Sequence, residues 1–255
     1  MTVRSGPFLG LLLCLAVLPA QARSHLDRGE LKILAASSVA VVYVDGGPAL
    51  EPSLDPAHHM LGVTPLTAVL ADVVNRYRLH VLLAHIGPYR AAVDKLPLSE
   101  STQQGLRQAL LPVPWLGKAP WTEVRQDPRD ALFLTRQAQA ARAPVVVFIR
   151  PQLFMEPDAG ALYMECNIDI ETAGPGVPVS HYDSSDVIIS EPVDDAGLPA
   201  PDRTHDLGDR RMARLFANGA EGFQRLYSRL LARSQQQLYY YFTGDRPASP
   251  APVAR

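Results

Sequence analysis

Hydrophobic positions along this chain fall into two rhythms, one unbroken or every second residue and the other in steps of three and four, and the switches between them lay out an α/β fold. Residues 39–44 are an apolar, β-branched run, Val-Ala-Val-Val-Tyr-Val, closed by Asp45-Gly46-Gly47-Pro48. That is the pattern of a buried strand. Residues 46–62 hold Pro48, Pro52 and Pro56 without a period and read as a loop. Thr64-Pro65 then opens a helix, because threonine caps the first amides and proline at the first helical position forfeits no hydrogen bond. Leu66, Val69, Leu70, Val73, Val74, Tyr77 and Val81 follow as one apolar stripe. Gly87-Pro88 interrupts it, with a second helical piece over 89–96, and Ser99 is expected to cap a further helix reaching residue 111. Residues 24–38 show no clear period.

Residues 121–126 read as a modest strand. Asp127-Pro128, with Asp130 in the first turn, opens a helix whose Leu134, Ala138 and Ala141 face inward, and Pro144 ends it. Residues 145–149, Val-Val-Val-Phe-Ile, are the strongest strand pattern in the chain. A strand, a helix and a strand imply a parallel pair joined by a right-handed crossover. After a turn at 156–160, strict alternation puts Leu162, Met164, Cys166, Ile168 and Ile170 on one face and Tyr163, Glu165, Asn167, Asp169 and Glu171 on a wet one. Residues 187–189 form the last strand and 191–208 a long loop. Asp209 is expected to cap a final helix, whose Met212, Leu215, Phe216, Phe223, Leu226, Tyr227, Leu230 and Leu231 make a broad stripe, weakened at Gly219 and Gly222.

These elements predict an α/β fold of mixed α+β character: a single mixed sheet of about five strands, helices packed on it, and a C-terminal amphipathic helix. The first residues change the picture. Arg4, an apolar run over 7–18 and Ala20-Gln21-Ala22 make a secretory signal peptide over 1–22, followed by one α/β domain over 23–243 and a disordered tail over 244–255. The apolar run is shorter than the roughly 20 residues that span a bilayer, so no membrane span is expected. A periplasmic or secreted, soluble protein follows. Leu11-Leu12-Leu13 before Cys14 does not suit lipid attachment, and removal of the leader leaves Cys166 as a lone thiol. A formal net charge of −2 provides no global attraction to nucleic acid.

The order of elements over residues 39–233 resembles that of periplasmic accessory domains of the TolB N-terminal and curli-secretion-channel type, and of uncharacterised exported envelope proteins of similar layout. The resemblance implies a non-enzymatic role in the cell envelope with a protein partner, and no functional residue transfers with it. The expected function is a binding or assembly module. The alternative is a hydrolase or metal-dependent enzyme built from loop histidines and carboxylates.

No nucleophile-elbow, metalloprotease, phosphate-loop or dinucleotide motif occurs, and no cofactor is called for. Asp55, His58 and His59 share one loop and have the chemistry of zinc ligands, although adjacent histidines on an extended chain point apart. His181, Tyr182, Asp183 and Asp186 form a weaker cluster. The wet-face carboxylates Glu165, Asp169 and Glu171 stand about 7 Å apart along a strand, too far to share one ion unaided. Arg211, Arg214, Arg225 and Arg229 flank the last apolar stripe and could meet an anionic surface. Tyr239, Tyr240, Tyr241 and Phe242, four consecutive aromatics beyond that stripe, are the leading candidates for a partner-binding patch.

Overall fold

The structure is a computed structural model, and it describes residues 25–45, 51–52, 76–77, 80–125, 132–174, 177–196, 198 and 204–245. The leader over 1–22, the loop bearing Asp55, His58 and His59, the opening of the helix expected from residue 64, the Asp127-Pro128-Asp130 helix start and the tail beyond 245 lie outside the described residues. Strands β1 (Val39–Asp45), β3 (Trp121–Arg125), β4 (Val145–Met155), β5 (Ala161–Gly174) and β6 (Val177–Pro192) form one mixed sheet in the order β3-β1-β4-β5-β6, and the short β2 (Glu51–Pro52) pairs with the end of β4. β1 is parallel to both β3 and β4, whereas β4, β5 and β6 make an antiparallel meander.

Burial explains the order. Val39 to Val44 are all at most 5 % exposed, so the unbroken apolar run needs cover on both faces, which an interior parallel strand receives. β1 therefore lies between β3 and β4, which do not pair with each other: Val41 faces Trp121 on one side and Val147 on the other. β4 continues past the expected residue 149 to Met155, through Pro151. Pro151 falls between the stretch paired with β1 and the stretch paired with β2, where a missing N–H breaks no ladder bond.

The helices cover the two faces unequally. Val39, Val41, Tyr43, Val147, Ile149 and the even positions of β5 from Leu162 to Ile170 lie in the larger core. Its cover comes from α1 (Arg28–Ala35), α2 (80–86), a 3₁₀ turn (Gly87–Tyr89), α3 (Arg90–Val93), α4 (Leu98–Leu110), α6 (Thr204–Leu215) and α7 (Ala217–Thr243). On the opposite face Ala40, Val42, Val44, Val146 and Phe148 pack under Phe133 and Ala138 of α5 (Phe133–Ala141).

Three local readings are corrected, and one stretch without a clear period proves helical. Residues 28–35 are helical, started by a capping box in which Asp27 Oδ1 accepts from Glu30 N and Glu30 Oε2 accepts from Asp27 N, each at 2.8 Å. Ser99 does not cap α4; Pro97 stands at that position, and the Ser99 hydroxyl donates to Asp45. α6 begins at Thr204, so Asp209 lies inside it and binds a histidine instead of capping. The expected single last helix is broken: α6 ends at Leu215, and left-handed backbone at Asn218, Gly219 and Ala220 interrupts the first turn of α7. A left-handed alanine costs about 1–2 kcal/mol, which the burial of Ala220 and Phe223 beyond the break helps to offset.

Candidate functional site

The aromatic run at the end of α7 meets several surroundings, because successive helical side chains turn by about 100°. Tyr241 and Phe242 are fully buried, and the structure assigns both to the core. The Tyr241 hydroxyl donates to Asp183 Oδ2 at 2.9 Å, and burial, with the nearby Asp183 carboxylate, raises its pKa well above the ordinary phenol range. Phe242 packs edge-on against Trp115, whose indole N–H donates to the Phe242 carbonyl at 3.2 Å. Tyr239 and Tyr240 remain half-buried at the surface. The Tyr240 ring lies 5.1 Å from that of His25, and its hydroxyl is 3.3 Å from His25 Nδ1.

Tyr239 stands at one end of a groove between α4 and α7. The two helices touch closely at Gly105, where a Cβ would come 2.9 Å from Leu231 Cδ2. There Gln235 Nε2 donates to the Gly105 carbonyl at 2.9 Å, and one turn earlier Thr102 and Tyr227 share a 2.7 Å hydrogen bond. Beside this contact lies a groove of about 450 Å³ open to solvent. Gln108, Ala109 and Pro112 line it from the α4 side, and Ala232, Gln235, Gln236 and Tyr239 from α7. None of these seven described residues carries a charge. Three primary amides supply donors and acceptors, and a tyrosine, a proline and two alanines supply apolar surface. The amides were not singled out from the sequence, although Gln235, Gln236 and Tyr239 recur at helical spacing along one side of α7. Gln108 and Pro112 come from more than a hundred residues away, and no local pattern joins them to α7.

The other candidates are engaged in packing. Asp169 and Glu171 are not on a wet face: they are 6 % and 9 % exposed, and Asp169 accepts from Arg150 at 2.5 Å and from Ser184 at 2.8 Å. Glu165 and Asp186 both accept from the Asn167 amide, at 2.9 and 2.7 Å. Asp183 points to the core side and holds Tyr241, while the side chains of His181 and Tyr182 lie outside the described residues. The arginines expected to form a basic stripe have local partners. Arg211 pairs with Asp158 and Asp195 at 3.0 and 2.5 Å, and Arg214 donates to the carbonyls of Asp194 and Ala196. Arg225 pairs with Glu221 at 3.4 Å. Arg229 and Arg233 both bind Glu191, at 2.7 and 2.8 Å. Burial acts to raise the Glu191 carboxyl, but hydrogen bonds from Arg233 and Arg229 outweigh it and hold the group below the usual carboxylate range.

Two further groups with reactive chemistry are enclosed. Cys166 is buried, and its thiol is pushed up to about 12 by desolvation, with a smaller contribution from Glu165. His85 Nδ1 lies 2.6 Å from Asp209 Oδ1, a pairing 124 residues apart that no local motif announces. The other edge of the ring rests on Gly208, where a Cβ would come 2.8 Å from His85 Nε2. The imidazole thus packs α2 against α6. Among the described residues no group of three histidine, cysteine or carboxylate side chains could hold a metal ion, and no helix is long and apolar enough to cross a membrane. No family model, curated protein or solved structure matches this chain.

Proposed function

We propose that this protein is an exported, non-enzymatic binding or assembly module of the cell envelope, and that it engages a polypeptide partner through the groove beside Tyr239. The observation that carries this reading is the chemistry of the groove. A lining of three glutamine amides, a tyrosine ring, a proline and two alanines, without a charge, suits an uncharged stretch of extended chain. Glutamine amides can pair with peptide groups through donor and acceptor together, while the ring and the proline cover small apolar side chains. A charged ligand would lose its hydration there without gaining a counter-ion. The enclosure of Cys166 and His85 and the pairing of Arg211, Arg229 and Arg233 with carboxylates support a scaffold in which reactive groups serve packing. The leader pattern over residues 1–22 supports export.

Two measurements test this reading. Intact mass of the chain from the periplasmic fraction should begin at Arg23; the full-length chain in the cytoplasm would end the export proposal. A photo-reactive side chain placed at Gln236 in living cells should yield one adduct, mapped by mass spectrometry to an uncharged segment of an envelope protein and lost on Tyr239→Ser. The same group at the solvent-facing Arg225 should yield none. Equal adducts at both positions, or none at Gln236, would remove the groove as the site.

A further inference from the structure

β6 ends the sheet path, and among the described residues no strand pairs with its outer edge. Its backbone phase is clear between residues 184 and 193. The Val193 N–H donates inward to the Gly160 carbonyl at 2.8 Å, whereas the Ser190 carbonyl accepts from Arg233 Nη1 of α7 at 2.8 Å, outside the ladder. Odd positions therefore turn their backbone groups toward β5 and their side chains under the helices, as buried Ser185, Val187 and Glu191 do. Even positions turn their backbone groups outward and their side chains onto the opposite face, where Ser184, Asp186, Ile188 and Ser190 are all exposed. Pro192 shares the outward phase, so its missing N–H costs no bond to β5. Ile188, 41 % exposed, is the one large apolar side chain among these outward positions.

We propose that this edge is a self-association surface, on which the β6 strands of two copies pair antiparallel about a twofold axis through Ile188. In that register Ile188 faces Ile188 of the second copy, and Ser190 on each side faces Asp186 of the other. Apolar meets apolar, hydroxyl meets carboxylate, and no like charges stand opposed, which is the side-chain complementarity a cross-strand interface requires. The outward N–H and C=O groups at 186, 188 and 190 then find partners in place of water, as an added strand normally provides. The arrangement leaves the Arg233 contact intact, because a carbonyl oxygen accepts two hydrogen bonds and the guanidinium is held by Glu191 at 2.8 Å. The Asp186-x-Ile188-x-Ser190 spacing is what selects a second copy as the occupant: read in the opposite direction it presents the complementary group at each position.

Sedimentation of the purified chain should show a mass twice that of one chain, falling to one on dilution. Ile188→Lys puts two ammonium groups on the axis and should yield monomer at every loading concentration. Ile188→Pro removes an outward donor while keeping the inward bonds to β5, and should also yield monomer with an unchanged circular dichroism spectrum. For register, Ile188→Cys should be joined to a second copy by a short bifunctional thiol reagent, since facing Cα atoms lie about 5.5 Å apart. Ser184→Cys should stay unlinked, since eight residues of offset separate its thiols by roughly 27 Å. A wild-type chain that is monomeric at all concentrations, a dimer indifferent to Ile188→Lys, or equal cross-linking at residue 184 would overturn the proposal.

Discussion

Tyr239 and Tyr241 are two residues apart, yet substitutions at them should have opposite consequences. Tyr241 is fully buried and donates to Asp183, so Tyr241→Ser leaves a cavity and removes one donor from a part-buried carboxylate. A loss of about 3–5 kcal/mol is expected, as for large-to-small changes at buried aromatics. Tyr239→Ser trims a half-buried side chain at a groove wall and should cost about 1 kcal/mol or less. Urea unfolding of both variants checks the contrast; near-equal costs would place Tyr239 in the core as well. Cys166 offers a second residue-scale test. It should resist maleimide in the folded protein and react on unfolding. Its thiol moves from the ordinary 9.0 to about 12 because the thiolate cannot be solvated in the core. The unfolded chain loses this proton first, so the contribution is fully present below pH 9.0 and is lost as pH rises toward 12. Cys166→Ala should flatten the alkaline fall of stability in that window.

At the scale of elements, two short contacts decide where helices sit. The Asp27–Glu30 box starts α1, an eight-residue helix tied down by buried Leu26 and Leu34 and by the Leu26 N–H to the Tyr241 carbonyl at 3.0 Å. Asp27→Ala should cost about 1 kcal/mol and accelerate amide exchange in α1 before any other element. Unchanged exchange in α1 would show that tertiary contacts alone hold it. Glu191 joins β6 to Arg229 and Arg233 of α7. Its depressed carboxyl contributes stability that is present above the ordinary 4.5 and is lost as pH falls through the lower folded value. Glu191→Gln should therefore destabilise the protein at neutral pH by about 2 kcal/mol, an order-of-magnitude figure for charge-assisted bonds to a largely buried group. It should also make acid unfolding less steep. A variant as stable as the wild type at pH 7 would show that the two arginines are screened by water.

At the scale of the molecule, the sheet has one heavily covered face and one covered by α5 over β1 and β4, and this asymmetry places both proposed surfaces. The groove lies between α4 and α7 on the covered side, and the β6 edge presents Ser184, Asp186, Ile188 and Ser190 on the opposite side. The two surfaces are independent, so Ile188→Lys should leave the Gln236 adduct unchanged while removing the dimer.

Much of this was legible from periodicity. The α/β class, β1, β3, the strand at 145–149, the alternation of β5 and the burial of Cys166 follow from local patterns, because burial on one or both faces imposes its own spacing on neighbouring residues. The capping box at 27 and 30 has a local signature, a Glu three residues after a capping Asp, but the eight-residue helix it starts is too short to show an apolar period in the sequence. What tertiary structure decided are the relations between distant segments. β1 lies between β3 and β4 because its run needs cover on both faces, and a pattern along one strand does not name its neighbours. Asp209 turns from a cap into the partner of His85, and Asp169 leaves the solvent for Arg150, because each finds its partner only after the chain has folded back. The groove is the clearest case. Its glutamines are ordinary polar positions on two helices, and they become one uncharged surface only because α4 and α7 pack together, closely at Gly105. A sequence dictates the period of burial through local geometry, whereas side chains from separate elements converge by packing, which has no local period to read.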